Sequence, residues 1–495
     1  MNIAEIIARS SNRFPDKGAI IFDSKVITYK ALELRTNQLA GLIISMGFKK
    51  GERIGIMMSN RPEFVIAFFG ILKAGTVPLP INALFKEKEL SYVLLNSGAT
   101  GLITEGGYTP IFDKIRNEVR DCSQIILAED MEKLSENVSE ETSIPETLDD
   151  EMAILMYTSG STGNPKGVVL THRNLYSNAV VASQVASGMS HVDRVFVVIP
   201  FFHIYAMNWG MIAALSQGAT VVIMQRFVPE DVFRAVKDLA VTVFLGVPTI
   251  YHRLSVHPEA RKDYFTSVRY ALCGGAPLPV SLIEETEKLI GVRIHEGYGQ
   301  TETSPIVTVN PYGGIRKSGS AGPTASGVEV KIVDDSGREM PCGLEGEIAV
   351  KGSNVMKGYY KLEKETERVL RNGWFYTGDI GRLDEDGFLY ITDRKGDLII
   401  SGGHNVYPRE VEEILSTHPD LLESAVIGVS DKDMGEVVKA FVIVKEGRPI
   451  EPEDLIGYCK ERMAGFKVPK YIEYRESLPK DGPGKIIKRL LRSEA

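Results

Sequence analysis

Tyr157-Thr158-Ser159-Gly160-Ser161-Thr162-Gly163-Asn164-Pro165-Lys166-Gly167 decides how the rest of this 495-residue chain is read. An apolar run, Ala153 to Tyr157, leads into it and reads as a buried strand. A second apolar run, Val168 to Leu170, leads out, and Thr171 then caps a helix extending to about Ser183. Glycines let backbone N–H groups converge on an anion, and hydroxyls and Lys166 add donors and positive charge. The combination suits a polyphosphate. The spacing departs from the common P-loop, where the lysine directly precedes Ser or Thr, because Gly167 follows Lys166. A Gly/Ser-rich surface turn has the same composition, so neighbouring segments must decide.

The length exceeds what one hydrophobic core serves and implies at least two domains. With 43% hydrophobic and 25% charged residues, the composition is that of a globular protein. A net charge of -8 disfavours nucleic acid as a partner. The N-terminus lacks a signal-peptide pattern, and no apolar run is long enough to span a membrane. Peripheral membrane contact stays open. Cys122, Cys273, Cys342 and Cys459 show neither zinc nor disulfide spacing. A reduced, cytoplasmic enzyme is expected, its oligomeric state open, with a homodimer among the options.

On either side of the loop, strand-like and helical stretches alternate, which predicts α/β layers on a largely parallel sheet. Strand ends carrying Gly and polar residues mark where ligands sit in such sheets. Three occur: Pro200 to His203, Cys273 to Pro277, and Gly297 to Thr303. Beyond about Ser320 short β-type runs suggest a smaller barrel-like unit. A compact α+β pattern closes the chain. Domains are expected at 1–396 and 397–495. Asp130 to Glu151, acidic and broken by Pro145, reads as a solvated linker.

His203, between aromatics at a strand end, can orient a carboxylate. Gly274-Gly275-Ala276 and Gly297-Tyr298-Gly299 read as tight turns leaving room for a flat ring, with Tyr298 stacked on it. Thr301 and Glu302 offer a hydroxyl and a carboxylate toward phosphates and Mg²⁺. Asp379, in a polar turn after Trp374 and Phe375, can bridge a vicinal diol, with Arg394 in support. Lys485 lies between a Gly-rich turn and an apolar pair, where a mobile loop carries its ammonium into another domain's cleft to stabilise developing negative charge.

Four segments in this order, Tyr157 to Gly167, Gly297 to Glu302, Tyr376 to Asp379 and Gly484-Lys485, resemble the adenylate-forming family of acyl-CoA synthetases, luciferases and peptide-synthetase adenylation domains. The resemblance covers nearly the whole length. It implies a large N-terminal domain of stacked αβ subdomains plus a small β-barrel, then a mobile α+β C-terminal domain. ATP, Mg²⁺ and coenzyme A are the implied cofactor and co-substrates. Thr158, Ser159, Gly160, Ser161, Thr162 and Lys166 would cradle the β- and γ-phosphates. Gly274, Gly275, Ala276, Glu296, Gly297 and Tyr298 would enclose adenine. Thr301 would reach the α-phosphate, Glu302 and Thr162 would hold Mg²⁺, and Asp379 and Arg394 would bind ribose. Lys485 would be the adenylation lysine.

The face bearing Ser401, Gly402 and Gly403 would border the pantetheine tunnel, and Phe466 and Lys467 would contact the CoA nucleotide. The family's hinge position, usually Lys or Asp, is matched here by Gly396. For the acid, His203, Tyr205, Trp209, Tyr270, Cys273 and Gly297 are the expected wall, with Gly297 leaving floor space that a Trp would close. The stretch Thr242 to Thr249 looks most like prokaryotic medium- and long-chain fatty acyl-CoA synthetases. Aryl acids such as benzoate or coumarate are the rival. A free-standing enzyme loading a carrier protein and a non-enzymatic interaction protein are further alternatives.

Overall fold

The structure, a computed structural model, describes residues 2–494 apart from 137, 139–144, 159–164, 403, 433, 446, 449 and 483. An eight-stranded sheet forms the centre of the large domain. Its order is Ile306–Val309, Ile294–Gly299, Tyr270–Cys273, Val243–Gly246, Arg194–Val197, Thr220–Ile223, Gly18–Phe22, Lys25–Thr28. The six inner strands run parallel and the two outermost are antiparallel. The N-terminal hairpin therefore joins a sheet whose other strands lie about two hundred residues on. Parallel strands covered on both faces read as continuous apolar runs, and Val195-Phe196-Val197 and Val243-Phe244-Leu245 are fully buried.

A second, all-parallel sheet has the order Val77–Pro80, Arg53–Met57, Ala99–Thr104, Gln124–Leu127. The helix Pro62–Lys73 beside it is apolar nearly all round and buried except at Glu63, as a helix packed on several sides must be. Lys73 within it is tolerated because its ammonium meets Glu33, Thr36 and Asn37 at 2.6–2.9 Å.

The strands flanking the phosphate-loop segment are antiparallel to one another. Met152–Thr158 and Lys166–Thr171 form a ladder from Met152↔Thr171 to Thr158↔Lys166. The two-residue strand Gly358–Tyr359 is added to its edge. Thr171 caps the following helix as expected, its hydroxyl accepting from the Asn174 N–H at 3.2 Å. That helix ends at Val180 and passes into a π-helical stretch, Val181–Ala186. The predicted helix from Asn208 is likewise mostly a wider π-helical coil, Ala206–Ala213.

The barrel-like unit is an antiparallel sheet, Val328–Val333, Gly346–Gly352, Trp374–Leu383, Leu370–Arg371, with Leu389–Arg394 added to Trp374–Leu383. In the path through its strands it remains open, a partial barrel. Two expected turns are in fact strands. Asp379 lies inside the ten-residue strand Trp374–Leu383, and Gly297 to Gly299 end Ile294–Gly299. Alternating burial along 374–383 shows the strand period: Phe375, Thr377, Asp379 and Gly381 face inward, and the residues between them are more exposed.

The small C-terminal domain holds a last sheet, His404–Val406, Ile399–Ser401, Gly435–Val444, Leu421–Asp431, with Tyr471–Tyr474 parallel to Gly435–Val444. Helices Pro408–Ser416 and Pro452–Lys460 cover it, and Val411, Leu415, Leu455 and Cys459 join one core with the sheet. No helix among the described residues is long and apolar enough to cross a membrane.

Candidate active site

Four ends of the chain meet at one cleft. Asp379 and Arg394 face each other in register on neighbouring strands. Arg394 Nε donates to Asp379 Oδ1 at 2.8 Å. Tyr298 donates its hydroxyl to Asp379 Oδ2 at 2.7 Å, and the Gln300 amide donates to the same oxygen. The carboxylate is 6% exposed and its donors fix its orientation. The Asp379 charge raises the guanidinium pKa of Arg394 further. Tyr298 is thus tied through its hydroxyl to the acid.

Glu302 follows in a short turn, Thr301–Thr303. Burial pushes its carboxyl above the usual range, partly offset by the Tyr359 hydroxyl, which donates to Oε1 at 2.9 Å. The turn itself is gripped from behind. Asn354 donates to the carbonyls of Thr303 and Ile306 at 3.1 and 2.9 Å, as does Asn178 at 3.4 and 3.0 Å. A largely desolvated carboxylate, bonded by the Tyr359 hydroxyl and its own backbone N–H, still offers lone pairs to a hard divalent cation that takes its other oxygens from phosphates and water. Among the described residues no group of three His, Cys, Asp or Glu forms a metal cage.

Lys166 leaves the phosphate-loop segment on the strand Lys166–Thr171 and pairs with Glu365 at 2.9 Å. Thr158 faces it across the ladder. Ser159, Gly160, Ser161 and Thr162 lie outside the described residues, as does Gly403.

Lys485 sits at a hairpin turn. Lys480 and Ile486 bridge, Asp481 N–H bonds to the Lys485 carbonyl at 2.9 Å, and Lys485 N–H bonds back to Asp481 Oδ1 at 2.7 Å. The hairpin rests on the large domain. A Cβ on Gly482 would lie 2.9 Å from the Phe202 ring, and one on Gly484 only 2.7 Å from Thr249 Oγ1. Gly484 also has φ +95, which favours glycine. Lys485 keeps surface open to the cleft. Crowding by protein nevertheless lowers its ammonium pKa; lost hydration is the largest cause and Arg394 the next, opposed by Asp379, Asp481 and Asp397.

His203 is the neighbour on the other side. Burial and then the Lys485 charge push its imidazole down to about 4. Its Nδ1 accepts the Tyr205 N–H at 3.3 Å. The neutral ring therefore carries its proton on Nε2, free to donate.

The wall beyond His203 is aromatic. Tyr205 and Trp209 meet edge to face and Trp209 stacks on Tyr270, both with ring centroids 6.3 Å apart, and Tyr270 stacks on His295 at 4.6 Å. All three of Tyr205, Trp209 and Tyr270 are buried with Cys273. The Tyr205 hydroxyl donates to the Leu272 carbonyl at 3.2 Å, whereas the Trp209 indole N–H has no partner among the described residues. A Cβ on Gly274 would touch the Tyr205 ring at 3.7 Å. Gly297 borders Thr308 and Val309, where a Cβ would be 3.3 Å from the Thr308 carbonyl. Gly275 adopts φ +85, and Ala276 follows in the same strand-end loop.

Glu296 turns its carboxylate to the Gly319 N–H at 3.1 Å, and burial raises its pKa to about 7. On the small domain Ser401 is buried, Gly402 is left-handed, Phe466 stacks on His404 at 4.6 Å, and Lys467 pairs with Glu410 at 2.6 Å. Gly396 has open space around a hypothetical Cβ and a negative φ, so glycine is not sterically required there.

A family model described as AMP-binding enzyme matches residues 7–360, and its companion, AMP-binding enzyme C-terminal domain, matches 410–485. This chain belongs to the AMP-binding enzyme family. It falls in the acyl-CoA synthetase branch, and its activity is AMP-forming ligation of an acid through an adenylate. It is 36% identical to the long-chain-fatty-acid–CoA ligase of Bacillus subtilis (strain 168), over 99% of this chain and 94% of the relative. It is 37% identical to a feruloyl-CoA synthase of Amycolatopsis sp, over 98% and 97%.

The ATP-bound crystal structure of MatB from Rhodopseudomonas palustris superposes with a TM-score of 0.94 at 30% identity, over 100% of this chain and 99% of that one. The apo structure of MatB superposes less well, at 0.82 with 31% identity over the same shares.

The cleft also holds residues the sequence reading left unassigned. Gln300 has no role that its motif alone announces, and Tyr359, Glu365 and Thr249 carry no local functional mark. Tyr359 belongs to an aromatic pair after Gly358 and before an acid-rich helix, but nothing local says that it meets Glu302, 57 residues away.

Proposed function

We propose that this AMP-binding enzyme joins a compact aromatic carboxylic acid to coenzyme A. The observation that supports the site assignment is the Lys485 hairpin resting on Phe202 and Thr249, with the ammonium in electrostatic reach of Asp379, Arg394 and His203. An acid lying against the rings of Tyr205, Trp209 and Tyr270 has its carboxylate near the His203 Nε2–H, which orients it. A carboxylate oxygen attacks the α-phosphorus of ATP, and the bond to pyrophosphate breaks. Thr301 and the Lys485 ammonium stabilise the charge gathering there, an effect worth ~2.7–4 kcal/mol for one well-placed donor.

Asp379, held rigid by three donors, takes the ribose hydroxyls, with Arg394 beside it. Gly274 to Ala276 and Glu296 to Tyr298 frame the base. Thr158, the segment to Thr162, and Lys166 hold the β- and γ-phosphates. Magnesium, held by Glu302 and Thr162 when bound, would neutralise those phosphates.

Residues 397–495 then rotate about Gly396, withdrawing Lys485 and bringing the Ser401 to Gly403 face to the cleft. The CoA sulfur attacks the acyl carbon and the bond to AMP breaks. Phe466 and Lys467 receive the CoA nucleotide once their present partners, His404 and Glu410, give way. One cleft thus serves two steps in succession.

The aromatic reading rests on the stacked wall Trp209–Tyr270–His295 and on the likeness to a feruloyl-CoA synthase. A medium- or long-chain aliphatic acid is the second reading, favoured by the likeness to a long-chain-fatty-acid–CoA ligase. Pyrophosphate release and thioester formation across benzoate, coumarate, ferulate and saturated acids of increasing length decide between them. The highest kcat/KM should fall on an aromatic acid. A maximum on a long saturated acid would replace that reading with the second, and acid-dependent pyrophosphate release without a CoA thioester would favour a carrier-protein acceptor.

A further inference from the structure

The metal-side carboxylate and the phosphate-side ammonium come from distant segments, 302 and 166, yet one side chain touches both. Tyr359 donates its hydroxyl to Glu302 Oε1 at 2.9 Å, and Lys166 Nζ lies 5.3 Å from the centre of its ring. The backbone explains the placement. Tyr359 pairs with Val168, two residues beyond Lys166, in the short strand added to the phosphate-segment hairpin. Three residues earlier, the Met356 N–H donates to the Glu302 carbonyl at 2.8 Å. The same loop therefore grips Glu302 by backbone and by side chain.

The following helix, Glu363–Val369, fixes the other end. Tyr359 N–H donates to Thr366 Oγ1 at 2.9 Å, and a Cβ on Gly358 would lie 2.7 Å from Thr366 Cγ2. That packing also brings Glu365 to Lys166.

We propose that Tyr359 is a positioning residue that sets the spacing between Glu302 and Lys166 for the polyphosphate of a magnesium nucleotide. Its hydroxyl occupies one carboxylate oxygen and leaves the other for the cation. Its ring face steadies the ammonium by a cation–π contact. The proposal rests on the roles given above to Glu302 and Lys166.

Calorimetric binding of Mg-ATP and of AMP separates the possibilities, because AMP has neither the β- and γ-phosphates nor their metal. Tyr359→Phe keeps the ring and removes the donor. It should weaken Mg-ATP binding about tenfold, the scale of one hydrogen bond to a charged group, leave AMP binding within about twofold, and recover affinity as free Mg²⁺ is raised. Tyr359→Leu, which also removes the ring, should weaken Mg-ATP further. Glu302→Gln and Lys166→Ala are measured alongside. If both leave Mg-ATP affinity unchanged, the site assignment fails and the proposal with it. If both weaken it while Tyr359→Phe does not, the proposal alone is overturned. Equal losses of Mg-ATP and AMP binding in Tyr359→Phe would show a general structural role and overturn it too.

Discussion

The two sides of the cleft are built on opposite principles. On the nucleotide side, charged and polar groups meet in fixed pairs: Asp379 with Arg394, Tyr298 and Gln300; Glu302 with Tyr359; Lys166 with Glu365. On the proposed acyl side, Tyr205, Trp209, Tyr270 and Cys273 pack as rings and apolar surface, and the Tyr205 hydroxyl bonds at the edge to the Leu272 carbonyl. Paired polar groups are intolerant of change, because removing one member strands the other away from water. A packed aromatic wall tolerates substitution at the cost of shape, so it is where related enzymes can change acids while keeping one phosphate chemistry.

That contrast can be broken from the top down. Lys485→Ala should have the largest effect, on the order of 10³-fold on adenylation, measured as acid-dependent pyrophosphate release. Thioester formation from supplied acyl-adenylate should stay within about threefold, because Lys485 is withdrawn in that step. Equal losses in both half-reactions would sink the division of labour between domain faces. Asp379→Ala comes next. It should raise the KM for ATP by about 100-fold, the cost of losing charge-assisted bonds and leaving Arg394 unpaired, and leave the acid's KM unchanged. A matching shift in the acid's KM would mean that the two sides are not separable.

Trp209→Leu probes the other wall. Relative kcat/KM between a large and a small aromatic acid should change by about 10–100-fold, the range a reshaped pocket produces, with the KM for ATP unaltered. An unchanged ranking of acids would place Trp209 in the core rather than in the pocket. The smallest effect is a titration. His203 should show its imidazole midpoint near pH 4 by NMR. Its folded pKa lies below the unfolded value, so its contribution to stability is present above about pH 6.5 and is lost as the pH falls toward 4. A midpoint near 6.5 would contradict the depression by desolvation and the Lys485 charge.

The same contrast governs how much the sequence discloses. Polar nucleotide groups are spelled out in short runs, Gly297 to Glu302 and Tyr376 to Asp379, because neighbouring residues act together there. Alternation of strands and helices likewise gives away the parallel sheet. What escapes is pairing at long range. Gly18–Phe22 joining a sheet with Thr220–Ile223, or Glu365 reaching Lys166 across 199 positions, leaves no local mark.

Asp379 and Gly297 to Gly299 read as turns because Gly and polar residues dominate those segments, but tertiary pairing with Leu389–Arg394 and Ile306–Val309 holds them extended. The helix from Asn208 shows the reverse. Its apolar spacing is legible, but the widening into a π-coil has no local mark.

Arg394 stands two positions before Gly396, the proposed pivot, and its guanidinium is moored to Asp379. Whatever occupies Asp379 therefore also steadies the last fixed link before the small domain begins to turn. A nucleotide that stays bound between the half-reactions would act as the bearing for the swing, and its departure would free the axle for the next cycle.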